Sequence, residues 1–180
     1  MFFSIQELEV RKIPFNESFE PGKVDFSGSG LRQTSALTSS GIARLLEDTG
    51  GEVRVTGSLR VEVEADCDRC LAVARFLVEQ DFDLFYSPAP EVDADEIEIH
   101  DSETEMSFYQ GEGFDLAEVM RDQILLALPM QRICREDCRG ICPLCGANRN
   151  ETACRCEVKT ADDRWGALKG FHASREAKGS

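Results

Sequence analysis

The sequence predicts an α+β protein: an antiparallel β-sheet or partial barrel with one packed helix, followed by a small C-terminal cysteine-rich zinc module. Three features support this: a long stretch of alternating apolar residues, one amphipathic segment that ends at a proline, and six of the eight cysteines compressed between Cys134 and Cys156. We expect a β-rich acidic body over residues 1–130 and the zinc module over residues 131–158. Residues 159–180 are predicted to form a short helix and a frayed tail.

The alternating stretch predicts a long β-hairpin. From Val53 to Ala65, apolar side chains occupy most odd positions, and polar or charged side chains occupy the even ones. A period of two residues is typical of a strand with one buried face. The alternation resumes from Phe76 to Tyr86, after the sequence Cys67-Asp68-Arg69-Cys70. The two cysteines are therefore expected at the turn of the hairpin.

Weaker patterns complete the expected body. Residues 2–10 and 42–48 are predicted as further strands, and residues 11–41, rich in Pro, Gly and Ser, as loops and short strands. Residues 87–113 are predicted to form a solvated loop, because eleven acidic residues and no Lys or Arg lie between Glu91 and Glu118. This loop lacks the glycine and ligand spacing of a calcium site.

One helix is predicted over residues 115–128. Asp115 suits the N-cap and Glu118 the third helical position, so that both carboxylates can satisfy backbone N–H groups at the helix start. Pro129 should end the helix. An apolar face is formed by Leu116, Val119, Met120, Ile124, Ala127 and Leu128. Such a face indicates that the helix packs on the sheet.

The charge is unevenly distributed. The net charge is -14, yet residues 131–180 hold ten Lys/Arg and seven Asp/Glu, which gives them +3 and leaves -17 for residues 1–130. An acidic body repels nucleic-acid phosphates and suits a basic protein partner, although the acidity can equally serve solubility alone. Direct contact with RNA is expected only at the basic end, where Arg135, Arg139 and Arg149 are the candidate residues. These arginines could equally be solubilising charges around the thiolates.

Several classes of protein are disfavoured. The sequence has no Gly-x-Ser-x-Gly elbow, phosphate loop or dinucleotide fingerprint, and its two histidines are His100 and His172. We therefore expect no enzyme and no small-molecule substrate. No stretch approaches the roughly 20 apolar residues of a membrane span, and the start, Met1 to Glu7, lacks the features of a signal peptide. The expected location is the cytoplasm, without a membrane partner.

The clustered cysteines are the candidate metal ligands: Cys134, Cys138, Cys142, Cys145, Cys154 and Cys156. In a cytoplasmic chain, such a cluster favours metal over disulfides. Cys142-Pro143-Leu144-Cys145-Gly146 provides the firm pair, and the second pair could come from Cys134/Cys138, from Cys154/Cys156, or one from each. Four thiolates suit a closed, structural zinc site; an iron–sulfur cluster is the alternative.

Three interpretations remain for the separate pair, Cys67 and Cys70. A redox pair normally opens a helix, whereas these cysteines fall between strands. The pair could instead lend ligands to the second cluster. The favoured interpretation is a structural turn in which Arg69 is exposed.

These features together resemble the YceD family of large-subunit ribosomal-RNA accumulation proteins. The matching segments, in order along the chain, are Cys67 to Leu71, Leu126 to Pro129, Cys134 to Gly146, Asn148 to Asn150, Cys154-x-Cys156 and Asp162 to Leu168. Arg149 stands where a leucine is usual, and Asp163 where a proline is expected. Some family members lack the C-terminal cysteine block and keep the earlier pair, which implies that the zinc module is an accessory to a shared β-rich body.

The resemblance implies a non-enzymatic factor in ribosome biogenesis that supports accumulation or processing of large-subunit (23S) ribosomal RNA. Its expected partner is ribosomal RNA or a basic ribosomal protein. A thiol- or zinc-based redox or metal-responsive regulator is the alternative, because spare thiols near a zinc site can oxidise and eject the ion. The resemblance transfers no catalytic residue.

Overall fold

The computed structural model describes residues 1–90 and 106–156. In chain order the elements are β1 (Phe2–Ser4), α1 (Ile5–Val10), β2 (Ile13–Phe19), β3 (Arg32–Gln33), β4 (Leu37–Leu45), β5 (Val53–Asp66), β6 (Val73–Pro88), β7 (Met106–Tyr109), β8 (Gly113–Asp115) and α2 (Leu116–Ala127). The predicted α+β class is confirmed. No helix among the described residues is long and apolar enough to cross a membrane.

The hairpin of β5 and β6 is the centre of the fold, as predicted. The two strands pair without interruption from Val53 opposite Tyr86 to Asp66 opposite Val73. The odd-numbered side chains of β5 are almost fully buried, from Val53 to Ala65. This long ladder carries the Cys67–Cys70 turn to its far end.

The other strands extend the hairpin into an open sheet in the order β2-β4-β5-β6-β7, with β3 paired to the far part of β5. Neighbouring strands are antiparallel except for β6 and β7, which are parallel. Strands β1 and β8 form a separate two-stranded sheet.

Helix α2 also agrees with the prediction. The side chain of Asp115 accepts a hydrogen bond from the backbone N–H of Ala117 at 2.9 Å, and the helix gives way to extended backbone at Leu128, before Pro129. Leu116, Met120 and Ile124 are fully buried in the same apolar core as β5. The helix thus fixes where the following chain, from residue 131, begins.

Parts of the expected secondary structure were wrong. Residues 2–10 are a short strand followed by helix α1, because Ile5 and Leu8 are spaced for one helix face and both pack at the core. The strand expected over residues 42–48 begins earlier, at Leu37, since the side chains of Leu37 and Ser39 point into the interior.

The acidic segment expected as a loop over residues 87–113 contains strand β7. The hydroxyl of Tyr109 donates a 2.8 Å hydrogen bond to the carbonyl of Gly51, which holds this strand at the sheet edge. Residues 91–105 of that segment lie outside the described residues. So do the helix and tail expected over residues 159–180.

The chain divides into two compact units, Met1–Cys138 and Arg139–Ser180. The first contains both sheets and both helices. The domain boundaries expected at residues 130 and 158 stay predictions.

Candidate metal centres

The first cysteine group joins the hairpin turn to the chain that follows α2. It consists of Cys67, Cys70, Cys134 and Cys138, whose sulfur atoms all lie within 4.8 Å of one another. The Sγ atoms of Cys67 and Cys138 are 3.9 Å apart, and those of Cys70 and Cys134 are 3.6 Å apart. Three of the four residues are buried, and Cys134 is half-buried. These four thiols therefore form a compact, largely water-excluded cluster.

The turn that presents Cys67 and Cys70 is set by two backbone hydrogen bonds. The N–H of Cys67 donates to the carbonyl of Ala72 at 2.8 Å, and the N–H of Leu71 donates to the carbonyl of Cys67 at 2.9 Å. Leu71 takes a left-handed conformation, with φ at 61°. Its conformation lets the chain reverse while both sulfurs remain on one side of the turn.

A second set of contacts fastens residues 131–138 to this turn. The backbone N–H of Asp68 donates to the carbonyl of Arg132 at 2.8 Å, and the N–H of Arg132 donates to the Asp68 carboxylate at 2.6 Å. The guanidinium of Arg69 donates to the carbonyl of Cys138 at 3.3 Å and to the side chain of Gln131 at 3.1 Å. These side-chain and backbone bonds thus hold Cys134 and Cys138 beside the turn.

The thiols of the first group differ in pKa. Burial raises the pKa of the Cys67 thiol, but backbone N–H groups, first that of Cys134, outweigh this effect and lower the pKa to about 6. Burial, and then the neighbouring thiol of Cys70, raise the pKa of Cys134 to about 12. A cluster with a favoured thiolate at Cys67 and a protonated thiol at Cys134 is suited to a cation, which replaces the thiol proton when it binds.

The second cysteine group lies entirely within the second unit. Its members are Cys142, Cys145, Cys154 and Cys156, and their sulfur atoms also lie within 4.8 Å of one another. The sulfurs of Cys145 and Cys154 are 3.5 Å apart. Only Cys142 is buried in this group, and Cys145 is exposed. The second group is therefore the more accessible of the two.

The turn of the second group repeats the bonds of the first. The N–H of Cys142 donates to the carbonyl of Ala147 at 2.8 Å, and the N–H of Gly146 donates to the carbonyl of Cys142 at 2.9 Å. Gly146 has φ at 71°, in the left-handed region. The two Cys-x2-Cys sequences thus form the same turn, which we call a cysteine knuckle: residues 67–72 in one case and 142–147 in the other.

Asparagines brace the second knuckle. The side-chain oxygen of Asn148 accepts from the backbone and side-chain N–H groups of Asn150, and its amide donates to Glu151 at 2.8 Å. The Asn150 side chain in turn accepts from the backbone N–H of Arg139 at 2.9 Å. Polar bonds, rather than a large apolar core, hold these residues around the thiols.

The thiol pKa values of the second group are also split. Backbone N–H groups of Cys145 and Leu144 lower the pKa of Cys142 to about 6. Neighbouring thiols, first that of Cys154, raise the pKa of Cys156 to about 12. The buried first cysteine of each knuckle therefore has the lowered pKa.

Each group has the donor set and spacing for one tetrahedral ion. Four sulfurs about 2.3 Å from a central zinc lie about 3.8 Å from one another, and the distances of 3.5, 3.6 and 3.9 Å agree with that edge. They are far longer than the roughly 2.05 Å of a disulfide. A multi-iron cluster binds its thiolates through different iron atoms and needs a wider arrangement. Either group could hold a metal ion, and the spacing favours a single one.

All six cysteines predicted from the sequence belong to these groups, two to the first and four to the second. That these six bind metal stays a prediction. Sequence reasoning did not select Cys67 and Cys70 as ligands. The available signal was their spacing, because Cys67-x2-Cys70 matches Cys142-x2-Cys145. Two interpretations of this pair are a structural turn alone and a contribution of ligands to the later cysteines. The geometry favours the second, because Cys67 and Cys70 lie in one group with Cys134 and Cys138.

Comparison with known proteins identifies relatives of this chain. The family model described as "Large ribosomal RNA subunit accumulation protein YceD" matches residues 55–172, a range that contains every cysteine of both groups. No solved structure is significantly similar to the chain.

Individual relatives come from bacteria and plants. An uncharacterized protein of Mycobacterium tuberculosis is 32% identical over 125 residues, which cover 68% of this chain and 57% of that protein. The large ribosomal RNA subunit accumulation protein YCED homolog 1, chloroplastic, of Arabidopsis thaliana is 23% identical over 149 residues, or 71% of this chain and 46% of that protein. The protein of the same name in Zea mays is 25% identical over 163 residues, and the match covers 77% of this chain and 54% of that protein. The chain thus spans about half the length of the relatives it matches.

Proposed function

Because this chain belongs to the YceD family of large ribosomal RNA subunit accumulation proteins, we propose that it is a non-enzymatic factor in ribosome biogenesis that supports accumulation of large-subunit ribosomal RNA. The family match is the observation that carries this proposal. The names of the plant relatives support the same role. We propose that the protein acts by binding and that its partner is ribosomal RNA or a basic ribosomal protein.

The second unit offers the chemistry for contact with an RNA backbone. Arg139 and Arg149 line one depression of its surface together with Thr152, Ala153 and Cys154. Residues 139–156 hold three arginines and one acidic residue, Glu151. Guanidinium groups bind phosphate oxygens with charge-assisted, bidentate hydrogen bonds. The acidic first unit repels phosphate and suits a basic protein instead.

The proposed cofactor is zinc with a structural role, held in the second unit by Cys142, Cys145, Cys154 and Cys156. The four thiolates form a closed donor set, whereas a catalytic zinc keeps one position open for water. The sulfur spacing and the braced turn support this assignment. The ion would fix the backbone around Arg139 and Arg149, which border the ligands in the chain.

The grouping of the cysteines does not favour the alternative role as a thiol-based redox switch. It rested on spare cysteines next to a zinc site, whereas all eight cysteines fall into two groups of four. The second group uses all four of its thiols for the proposed ion and leaves no spare thiol beside it to act as the oxidisable partner. We therefore propose the ribosomal role alone.

The test is complementation in cells depleted of the protein. Depletion is expected to lower large-subunit ribosomal RNA relative to small-subunit RNA, and the wild-type chain should restore the ratio. A variant with Arg139→Gln and Arg149→Gln should restore it poorly. The matched control changes Arg60→Gln and Arg75→Gln, which removes the same charge from exposed ion pairs of the sheet.

The outcomes separate the parts of the proposal. An unchanged RNA ratio on depletion would contradict the ribosomal role itself. If both double variants restore the ratio equally, the contact does not involve Arg139 and Arg149. Metal content of the purified variants distinguishes loss of RNA contact from loss of the ion. If the two arginines only offset the negative charge of the thiolates, replacing them should reduce the amount of bound metal.

A further inference from the structure

We infer that Cys67, Cys70, Cys134 and Cys138 form a second and separate metal site, which binds one tetrahedral thiophilic cation of the zinc class and fastens the tip of the β5–β6 hairpin to the chain after α2. The protein would then bind two ions rather than one. This inference does not depend on the ribosomal role.

The surroundings of the first group are those of a ligand set rather than of packed neutral thiols. The sulfurs of Cys67 and Cys138 sit at 3.9 Å and those of Cys70 and Cys134 at 3.6 Å, on opposite edges of one tetrahedron. In addition, the backbone N–H of Cys134 points at the sulfur of Cys67 at 3.3 Å. An N–H donor aimed at sulfur stabilises a thiolate, which is the form that binds a metal.

Burial makes a cation necessary for that thiolate form. The exposed fraction is 0% for Cys67 and 6% for both Cys70 and Cys138. The same cluster is otherwise apolar, with Ala74 buried and Phe76 and Ile133 packed against it. Several thiolates in such a place would be strongly destabilised unless a bound cation neutralised them.

The first knuckle also has a left-handed backbone conformation at a residue type that disfavours it. In the second knuckle the left-handed position is Gly146, as expected, but in the first it is Leu71, with 66% of its surface exposed. A left-handed leucine costs about 1–2 kcal/mol, and no burial of its side chain offsets that cost. Retention of the turn despite this cost indicates that the position of the two sulfurs matters at this site.

The two sites are separate because neither borrows a ligand from the other. Each group has four sulfurs of its own within 4.8 Å. The first group lies within Met1–Cys138, and the second within Arg139–Ser180. The first ion would connect positions 64 or more residues apart, Cys70 and Cys134, and so restrict the unfolded chain as a cross-link does.

The experiment measures bound metal per chain in the full-length protein purified with zinc. We expect two zinc ions for the wild type, one for Cys70→Ser, one for Cys145→Ser and none for the double variant. The control is Ala72→Ser, which adds a hydroxyl in the first knuckle without removing a thiol and should retain two ions. Replacement of zinc by cobalt should give the visible absorption of tetrahedral cobalt–thiolate at both sites.

Several results would overturn the inference. Two ions in Cys70→Ser, or a single wild-type ion that Cys70→Ser retains and Cys145→Ser loses, would show that the first group is not a site. A mass lower by two hydrogen atoms per cysteine pair would show disulfides, and more than one iron per group would show a cluster. If Cys70→Ser does not fold, cobalt titration of metal-free Cys145→Ser decides: binding of one equivalent with the tetrahedral cobalt–thiolate spectrum supports the site, and no binding refutes it.

Discussion

The two cysteine knuckles have the same backbone hydrogen bonds and very different surroundings. Residues 67–72 cap two strands of 14 and 16 residues, and their sulfurs sit in an apolar cluster. Residues 142–147 stand in a short segment in which Ile141 and Leu144 are exposed. The same turn is therefore supported by a folded sheet in one place and by little besides polar bonds and its own ligands in the other.

The difference indicates what each ion would contribute. The first unit has a core of its own, which includes β5 and α2, so an ion bound there would add to a structure that is already folded. The second unit buries few large apolar side chains among residues 139–156, too few to offset the conformational entropy of ordering its backbone. An ion at the first site would therefore cross-link a folded unit, whereas an ion at the second site would be required for folding.

The largest expected effect is loss of the second knuckle on removal of metal. Chelation, or Cys145→Ser, should unfold residues 139–156, because metal binding contributes roughly 10 kcal/mol or more to small zinc modules. Residues 2–128 should stay folded. Hydrogen exchange measured on the metal-free protein should show full exchange in the second knuckle and retained protection in β5 and α2.

The control for this prediction is Cys70→Ser, which should leave the second knuckle protected and loosen only residues 67–72 and 131–138. Loss of protection in β5 together with the second knuckle would contradict the division. It would mean that the body and the cysteine segments unfold as one cooperative unit.

The contrast also explains which features the sequence could predict. The β5–β6 hairpin and α2 follow from local periodicity, with apolar residues at alternate positions in one and on one helical face in the other. The cap at Asp115 and the stop before Pro129 are equally local. Each of these elements is determined by residues close together in the chain, and each was predicted with boundaries close to those observed.

The pairing of cysteines could not be obtained in this way. Cys134 lies nearer in sequence to Cys142 than to Cys70, yet its sulfur lies 3.6 Å from that of Cys70. Proximity along the chain favoured a single cluster of six. The hairpin and α2 determine the actual partners, because together they bring residues 67–70 and 131–138 to one place. This contact joins distant parts of the chain, so no local sequence pattern predicts it.

A smaller effect is expected from the bonds that prepare the first site. Asp68→Ala removes the carboxylate that accepts from the N–H of Arg132 at 2.6 Å. A hydrogen bond to a charged group contributes at least about 1.5 kcal/mol to stability. We use this lower value because Asp68 is exposed to solvent. The dissociation constant of the first site for metal should therefore rise about tenfold, and that of the second site should not change. Competition with a chromogenic chelator measures both.

The matched control is Asp66→Ala, which removes an exposed ion pair with Arg32 at 3.0 Å, two residues before Asp68. Surface pairs of this kind contribute little, so the affinity of the first site for metal should stay near the wild-type value. Equal effects of the two substitutions would show that net charge, rather than the bond to Arg132, controls retention at the first site.

The smallest effects are expected from exchanging the left-handed residues of the knuckles. Gly146→Ala should weaken metal binding at the second site by about 1 kcal/mol, since alanine is strained in the left-handed region and no atom within 4 Å of the added Cβ would add a clash. The reverse exchange in the first knuckle, Leu71→Gly, should change the free energy of unfolding by less than about 0.5 kcal/mol. Glycine relieves the strain of the left-handed backbone, but its greater freedom in the unfolded chain offsets that gain. Denaturant unfolding and metal competition measure both quantities. A loss at Leu71→Gly as large as that at Gly146→Ala would show that the exposed leucine makes a contact that stabilises the first knuckle, and that the two turns are less alike than their hydrogen bonds indicate.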